Sequence, residues 1–131
     1  MMDKYIRKKI YIEEDKHDKF KELSSEGGPF SSMKDVFMAA AILGYNLGEM
    51  KSLKPNEKRD IFDKDVFDEH DLALLYAVVI AYYKDVTIIE HDPLGEVEKF
   101  ANAGIEELYK LVNNDGEGIV NLVEEILIKY S

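Results

Sequence analysis

The chain has 131 residues, a formal net charge of −10 and no cysteine, which excludes disulfides and thiolate metal sites. Its hydrophobic fraction of 46% is ordinary for a globular protein and argues against disorder over most of the chain. The longest apolar run, LALLYAVVIAYY at 72–83, is too short to span a bilayer, and no stretch reads as a signal peptide. We therefore expect one soluble, cytoplasmic domain over residues 1–131.

The first predicted element is a strand at YIRKKIYI, residues 5–12. Apolar and polar positions alternate there, which is typical of a half-buried strand, because successive side chains leave a strand on opposite sides. One face would carry Arg7, Lys9 and Tyr11. The other would be largely apolar, with Lys8 interrupting it, and consists of Ile6, Lys8, Ile10 and Ile12.

Two helices are predicted after this strand. The segment Glu13 to Ser24 has acidic residues in its first turn, where they favour the helix dipole. After the break at SSEGGPF, a capping-box-like Ser32-x-x-Asp35 begins the clearest helix, which we expect to end near Gly44. Its apolar positions follow helical spacing: Met33, Val36, Phe37, Ala40, Ala41 and Gly44.

Further helices are predicted in the second half. Residues 51–68 are a charged connector that could hold one short strand or an irregular packed segment, and VTII at 86–89 is too short to assign. A helix from about Glu69 to Lys84 is apolar nearly all round, so we expect it to be the most buried element. Asp92-Pro93 is typical of an N-cap followed by proline, and begins a helix that reaches about Asn113. A final helix is expected from Ile119 to Tyr130.

The predicted fold class is mainly α, with a short N-terminal strand followed by about five helices. We divide the domain into a strand-helix-helix part at 1–48, a charged connector at 49–68 and an acidic helical part at 69–131. The first part resembles a ribbon-helix-helix module, in which the strands of two subunits pair antiparallel and enter the DNA major groove. The resemblance implies a homodimer whose Arg7, Lys9 and Tyr11 face DNA. The loop between the helices is longer than that module normally uses, and a solvated edge strand, protected from aggregation by its lysines, is an equal alternative.

The sequence carries no strong signature of a catalytic or metal site. His17, His70 and His91 have carboxylates nearby, but their spacing matches no metal-binding motif. Paired acids such as Glu106-Glu107 are routine on exposed helix faces. A Walker loop, a Gly-x-Ser-x-Gly elbow and a cysteine nucleophile are all missing from the sequence. We expect a protein that is not an enzyme and binds no metal or cofactor.

Two stretches, GGPFSSMKDVFMAAAILGYNLGE and EKFANAGIEELYKL, resemble a known family. The matching positions are Gly28-Pro29-Phe30, Asp35-Val36, Ala39 to Ala41, Gly44-Tyr45, a segment near Phe67 and the run Phe100-Ala101-Asn102-Ala103-Gly104-Ile105. They resemble the Dnd-system-associated protein 4 family, encoded beside bacterial DNA phosphorothioation systems. At the last run the family pattern is closer to Tyr-Ala-Asn-Gly-Gly-Leu, so Phe100, Ala103 and Ile105 are mild departures. The resemblance implies an accessory role in phage defence based on sulfur-modified DNA.

Asn102 and Gly104 are costly residues inside a predicted helix, glycine by about 1 kcal/mol relative to alanine. Gly104 would let another helix approach closely, and Asn102 would bond the backbone of a neighbouring loop. Intramolecular packing is the preferred explanation, and docking of a partner protein is the alternative. The candidate partner-binding residues are Gly28, Pro29, Phe30, Asn102 and Gly104.

Charge is uneven along the chain, with a net of +2 over residues 1–59 and −12 over residues 60–131. An acidic second half does not lie along a phosphate backbone, so any contact with duplex DNA is expected from the first half. Our first hypothesis is a DNA-binding or DNA-complex accessory protein that uses Arg7, Lys9 and Tyr11, and forms a homodimer through the strand. The alternative is an acidic adaptor or regulator that docks on a basic protein of the same defence system, without touching DNA.

Overall fold

The computed structural model describes residues 7–114, which form four α-helices and a two-stranded antiparallel sheet. The strands are β1 (Lys9–Glu13) and β2 (Lys58–Asp63), and the helices are α1 (His17–Leu23), α2 (Met33–Leu47), α3 (Glu69–Tyr83) and α4 (Pro93–Asn114). Short 3-10 turns lie between them at Glu14–Lys16, Pro55–Glu57, Lys64–Val66 and Val86–Glu90. The prediction of a mainly helical fold is confirmed. The helix predicted at 119–130 lies outside the described residues, and the division into three parts stays a prediction.

The sequence leaves open whether residues 51–68 form a strand. In the structure this segment contains β2, which pairs antiparallel with β1. Ile10 is opposite Phe62, and the register shifts by one bulged residue before Tyr11, which is opposite Asp60. One edge of β1 is therefore occupied by β2 of the same chain. The resemblance to a ribbon-helix-helix module remains unconfirmed, and a homodimer through β1 stays a prediction.

The ends of the early helices differ from the prediction. Glu13 is the last residue of β1, and the helix that follows the 3-10 turn covers only His17–Leu23. The capping prediction for α2 is confirmed, since the Ser32 side chain accepts from the Asp35 N–H at 3.2 Å. Its predicted end at Gly44 is wrong: α2 continues to Leu47, and Gly48 takes the left-handed conformation at φ 72° that ends it.

Gly44 is inside α2 because α4 crosses there at very short range. A Cβ on Gly44 would overlap the Phe100 carbonyl oxygen and lie 2.8 Å from its carbon. One turn away, a Cβ on Gly104 of α4 would overlap the carbonyl oxygen of Ala40. Each helix thus places a glycine against the backbone of the other. The expectation that Gly104 admits a neighbouring helix is confirmed, and β1 and all four helices contribute to one cluster of buried apolar side chains around this crossing.

The prediction that α3 is the most buried element is wrong. α2 and α3 both have 15 residues, but six residues of α2 are buried and only three of α3: Leu75, Val78 and Val79. One side of α3 therefore packs on the core while the opposite apolar side faces solvent. Residues 86–90 after it form a 3-10 turn. In the stretch that the structure describes, no helix is both long enough and apolar enough to cross a membrane.

Candidate functional site

Arg7, the first predicted DNA contact, is held by two carboxylates, those of Glu98 in α4 and of Asp92 just before α4. Its Nε and Nη2 donate to the two carboxylate oxygens of Asp92 at 2.8 and 2.7 Å. Its Nη1 donates to Glu98 Oε2 at 2.7 Å and to the Lys9 carbonyl at 3.0 Å. The side chain is only 17% exposed. A guanidinium held in two ion pairs, one of them bidentate, has little capacity left for a phosphate.

The residues around Arg7 explain why this contact forms. Asp92 has a left-handed backbone, φ 51°, just before Pro93 begins α4. Its carboxylate leaves no room for a Cβ on Gly95, which would lie 2.8 Å from Asp92 Oδ2. Hydrogen bonding from Arg7 lowers the pKa of Asp92, and burial raises the pKa of Glu98 to about 7 despite the nearby Arg7 charge. Glu98 also accepts from the Tyr11 N–H at 2.8 Å, so the cluster fastens β1 to α4.

Lys9 and Tyr11, the other predicted DNA contacts, lie on the outer face of the sheet. The Lys9 ammonium is 2.6 Å from Asp63 and 4.0 Å from Asp60, on the neighbouring strand. Lys9 is 45% exposed and Tyr11 is partly buried. Two carboxylates of β2 therefore offset the Lys9 charge on this face, while exposed Lys58 has no ion pair with the residues that the structure describes. Binding of DNA by Arg7, Lys9 and Tyr11 stays a prediction.

Asn102 belongs to a buried polar cluster that the sequence only partly indicated. Its Oδ1 and its carbonyl oxygen each accept from the Lys16 Nζ at 2.9 Å, and its Nδ2 donates to the Lys51 carbonyl at 3.0 Å. Glu13 lies 3.6 Å from the Lys16 Nζ and accepts from the Lys54 N–H at 3.0 Å. Glu13, Lys16 and Asn102 are all at least 96% buried. The expected bond from Asn102 to a loop backbone is present, and the cluster joins β1, the 3-10 turn before α1 and the loop at 51–54 to α4.

The Gly28-Pro29-Phe30 segment returns the chain from α1 to α2. Gly28 has no space for a side chain, since a Cβ would lie 2.7 Å from the Leu23 carbonyl oxygen. The Phe30 N–H donates to that same oxygen at 3.2 Å. Pro29 is exposed, and the Phe30 ring is partly buried against the core. A role for these residues, or for Asn102 and Gly104, in binding a partner stays a prediction.

Sequence reasoning missed an open groove between the end of α2, the end of α3 and the outer side of α4. It is lined by Gly48, Glu49, Met50, Lys51, Tyr82, Ala103, Glu106, Glu107 and Lys110. The Tyr82 ring is 41% exposed and is held edge-on by Phe100 at 5.1 Å between centroids. Three glutamates and two lysines line the groove with this ring. On α4 the lining residues Ala103, Glu106, Glu107 and Lys110 recur at helical spacing, and this spacing is the signal in the sequence that indicates a common face.

Histidines and carboxylates do not converge on a metal site in the residues that the structure describes. Within residues 7–113, no three His, Asp or Glu side chains are placed to hold one ion. His70 and His91 are both exposed; His70 lies in the first turn of α3, and His91 lies two residues before the start of α4.

Comparison with known proteins gives one positive result. The sequence model of the family described as DNA sulphur modification system-associated protein 4 matches residues 9–130, which is most of the chain. No similar chain was found among curated proteins or among solved structures.

Proposed function

This chain belongs to the DNA sulphur modification system-associated protein 4 family, and we propose that it is a non-catalytic accessory protein that binds a basic protein component of that system. The setting is antiviral defence linked to DNA phosphorothioation. The observation that carries the proposal is the use of Arg7 and Lys9 within the chain: both cations are already paired with carboxylates. The chain as a whole is acidic, with a net charge of −10.

The groove around Tyr82 is the surface best suited to a basic partner. In its lining the three carboxylates of Glu49, Glu106 and Glu107 outnumber the two lysines, Lys51 and Lys110, and the exposed Tyr82 ring supplies an aromatic face. An Arg or Lys side chain in such a place gains charge-assisted hydrogen bonds and a cation–π contact. Complementary charge of this kind accelerates association at low salt and weakens with screening.

Pull-down of each protein encoded by the neighbouring modification genes, in about 50 mM and about 300 mM salt, tests the proposal. We expect at least one basic protein to bind at low salt, and Glu49→Lys with Glu107→Lys to abolish that binding. The matched control is Glu26→Lys with Glu57→Lys, which changes net charge equally at two exposed sites away from the groove. Recovery of no partner at low salt, or equal loss in both double variants, would contradict the proposal.

Duplex DNA binding through β1 is a second candidate function. It is favoured by the order strand, helix, helix and by the exposure of Lys8 and Lys9 at the start of β1. Mobility shifts with plain and phosphorothioated duplexes test it, and binding should fall steeply with salt. Replacing Arg7 and Lys9 by alanine should then abolish the shift.

Arg7→Ala would also leave the carboxylates of Asp92 and Glu98 without their cation, so Lys8→Ala with Lys9→Ala is the cleaner variant. Lys21→Ala with Lys110→Ala is its charge-matched control. A shift that survives the loss of Lys8 and Lys9 would eliminate β1 as a DNA-binding strand.

A further inference from the structure

The groove around Tyr82 contains an aromatic ring whose position is fixed by its neighbours. Tyr82 is 41% exposed, and its ring stands at 78° to that of Phe100 and at 82° to that of Tyr83, with centroids 5.1 and 5.0 Å apart. Neither neighbouring ring therefore stacks flat on it. Because Phe100 is fully buried, its contact with Tyr82 fixes the ring against the core. A flat ligand group can stack on the part of this ring that is exposed.

The charged side chains that line this groove leave one negative charge in excess, since they are three glutamates and two lysines. Glu106 is held in place by the buried Lys16, whose ammonium lies 3.6 Å from Glu106 and 3.6 Å from Glu13, and its side chain is still 44% exposed. Glu49 and Glu107 form no ion pair with another residue in the stretch that the structure describes. The groove can therefore accept one added cation.

We propose that this groove binds a single arginine side chain of the partner, with its guanidinium stacked on Tyr82 and paired with the glutamates of the lining. This inference rests on the proposed function, because it names the group through which the basic partner binds. A guanidinium is flat and weakly hydrated, so it can stack on an aromatic ring while its N–H groups donate to carboxylates in its own plane. A lysine ammonium is compact and strongly hydrated, so it gains less from the same ring.

The two lysines of the lining, Lys51 and Lys110, limit what can lie beside that arginine. A second cation next to it would be repelled by them, because one excess negative charge offsets one positive charge only. The groove has a volume of about 690 Å³, which is enough for an arginine side chain together with adjoining residues of an extended segment. We therefore expect the partner to present an arginine between uncharged residues, while the charge of the whole partner acts at longer range on its approach.

Two short peptides, acetyl-Gly-Ser-Arg-Ser-Gly-amide and the same peptide with lysine in place of arginine, test the proposal in ¹H–¹⁵N NMR titrations of the full chain. We expect the arginine peptide to shift the amide signals of the groove residues with a dissociation constant at least roughly threefold below that of the lysine peptide, in keeping with a cation–π contact at an exposed site. Tyr82→Leu should abolish this preference. Tyr82→Phe is the matched control, because it keeps the ring, and it should preserve the preference.

The outcomes separate this inference from the proposed function. Equal dissociation constants for the two peptides, or a preference for arginine that survives Tyr82→Leu, would overturn the inference and leave the proposed function standing, because a basic partner can still pair with the carboxylates alone. Absence of groove shifts with either peptide would overturn the inference as well, and the pull-downs with Glu49→Lys and Glu107→Lys then decide the proposed function separately. The same NMR spectra show whether each variant is folded, so an unfolded variant cannot be mistaken for a lost preference.

Discussion

The close crossing of α2 and α4 predicts that Gly104→Ala lowers stability, although alanine is the better helix former by about 1 kcal/mol. The added Cβ would overlap the Ala40 carbonyl oxygen and lie 2.8 Å from the Gly44 nitrogen, whereas real Cβ contacts are essentially never below 3.0 Å. Backbone atoms cannot rotate aside, so the helices must separate. Overpacking of this kind costs about 3 kcal/mol or more, which leaves a net loss of at least about 2 kcal/mol.

Thermal unfolding followed by circular dichroism measures this effect. For 131 residues, about 2.1 cal/mol/K per residue corresponds to roughly 3–4 °C per kcal/mol, so we expect Tm to fall by about 7 °C or more. Gly48→Ala is the control: its Cβ would meet open space, and only the φ of 72° opposes it, at a cost of about 1 kcal/mol. A Gly104→Ala protein that melts at or above the parent temperature would refute the close-packing explanation.

Three other predictions concern the core and the buried polar groups. Phe37→Ala should lose about 3–5 kcal/mol and largely unfold the protein, since Phe37 is fully buried; Phe30→Ala should stay folded, lose less and impair partner or DNA binding. Equal, severe losses in thermal melts would make Phe30 ordinary core. The pKa of Glu98 is raised from about 4.5 to about 7, so the folded state holds more protons in that window and stability should fall as pH rises through it. Glu98→Gln should lack this fall in urea titrations between pH 4.5 and 8, and parallel pH profiles would contradict the assignment. Asn102→Ala should cost roughly 2–4 kcal/mol in urea unfolding because it leaves the buried Lys16 ammonium short of acceptors, and a loss under about 1 kcal/mol would count against that role.

Helices with regular apolar spacing and local caps could be predicted from the sequence. α2 begins where Ser32 caps it, and α4 begins at Pro93 after Asp92, because both signals depend on residues within one turn of each other. The predicted end of α2 is wrong because the reason for its glycine is not local. Gly44 resembles a glycine that ends a helix, but a side chain is excluded there because the backbone of Phe100, which is 56 positions further along the chain, packs against it.

The pairing of β1 with β2 could not be predicted, because it joins segments about 50 residues apart and β2 alternates poorly. The same holds for the Arg7 contacts with Asp92 and Glu98, which are 85 and 91 positions away. The burial of α3 was overestimated because an all-round apolar pattern is equally typical of a core helix and of a helix that packs on another protein.

Charge along the chain is also a poor guide to charge in space. Any contact with duplex DNA is expected from the first half, yet four of its cations pair with carboxylates of the second half: Arg7 with Asp92 and Glu98, Lys9 with Asp63, Lys16 with Glu106, and Lys34 with Asp71. Each of these contacts uses a cation to fasten the two halves and removes it from the surface field. The acidic groups that are left unpaired then dominate what a partner meets. A net negative charge of this size favours a basic protein over a phosphate backbone, because it repels the phosphates.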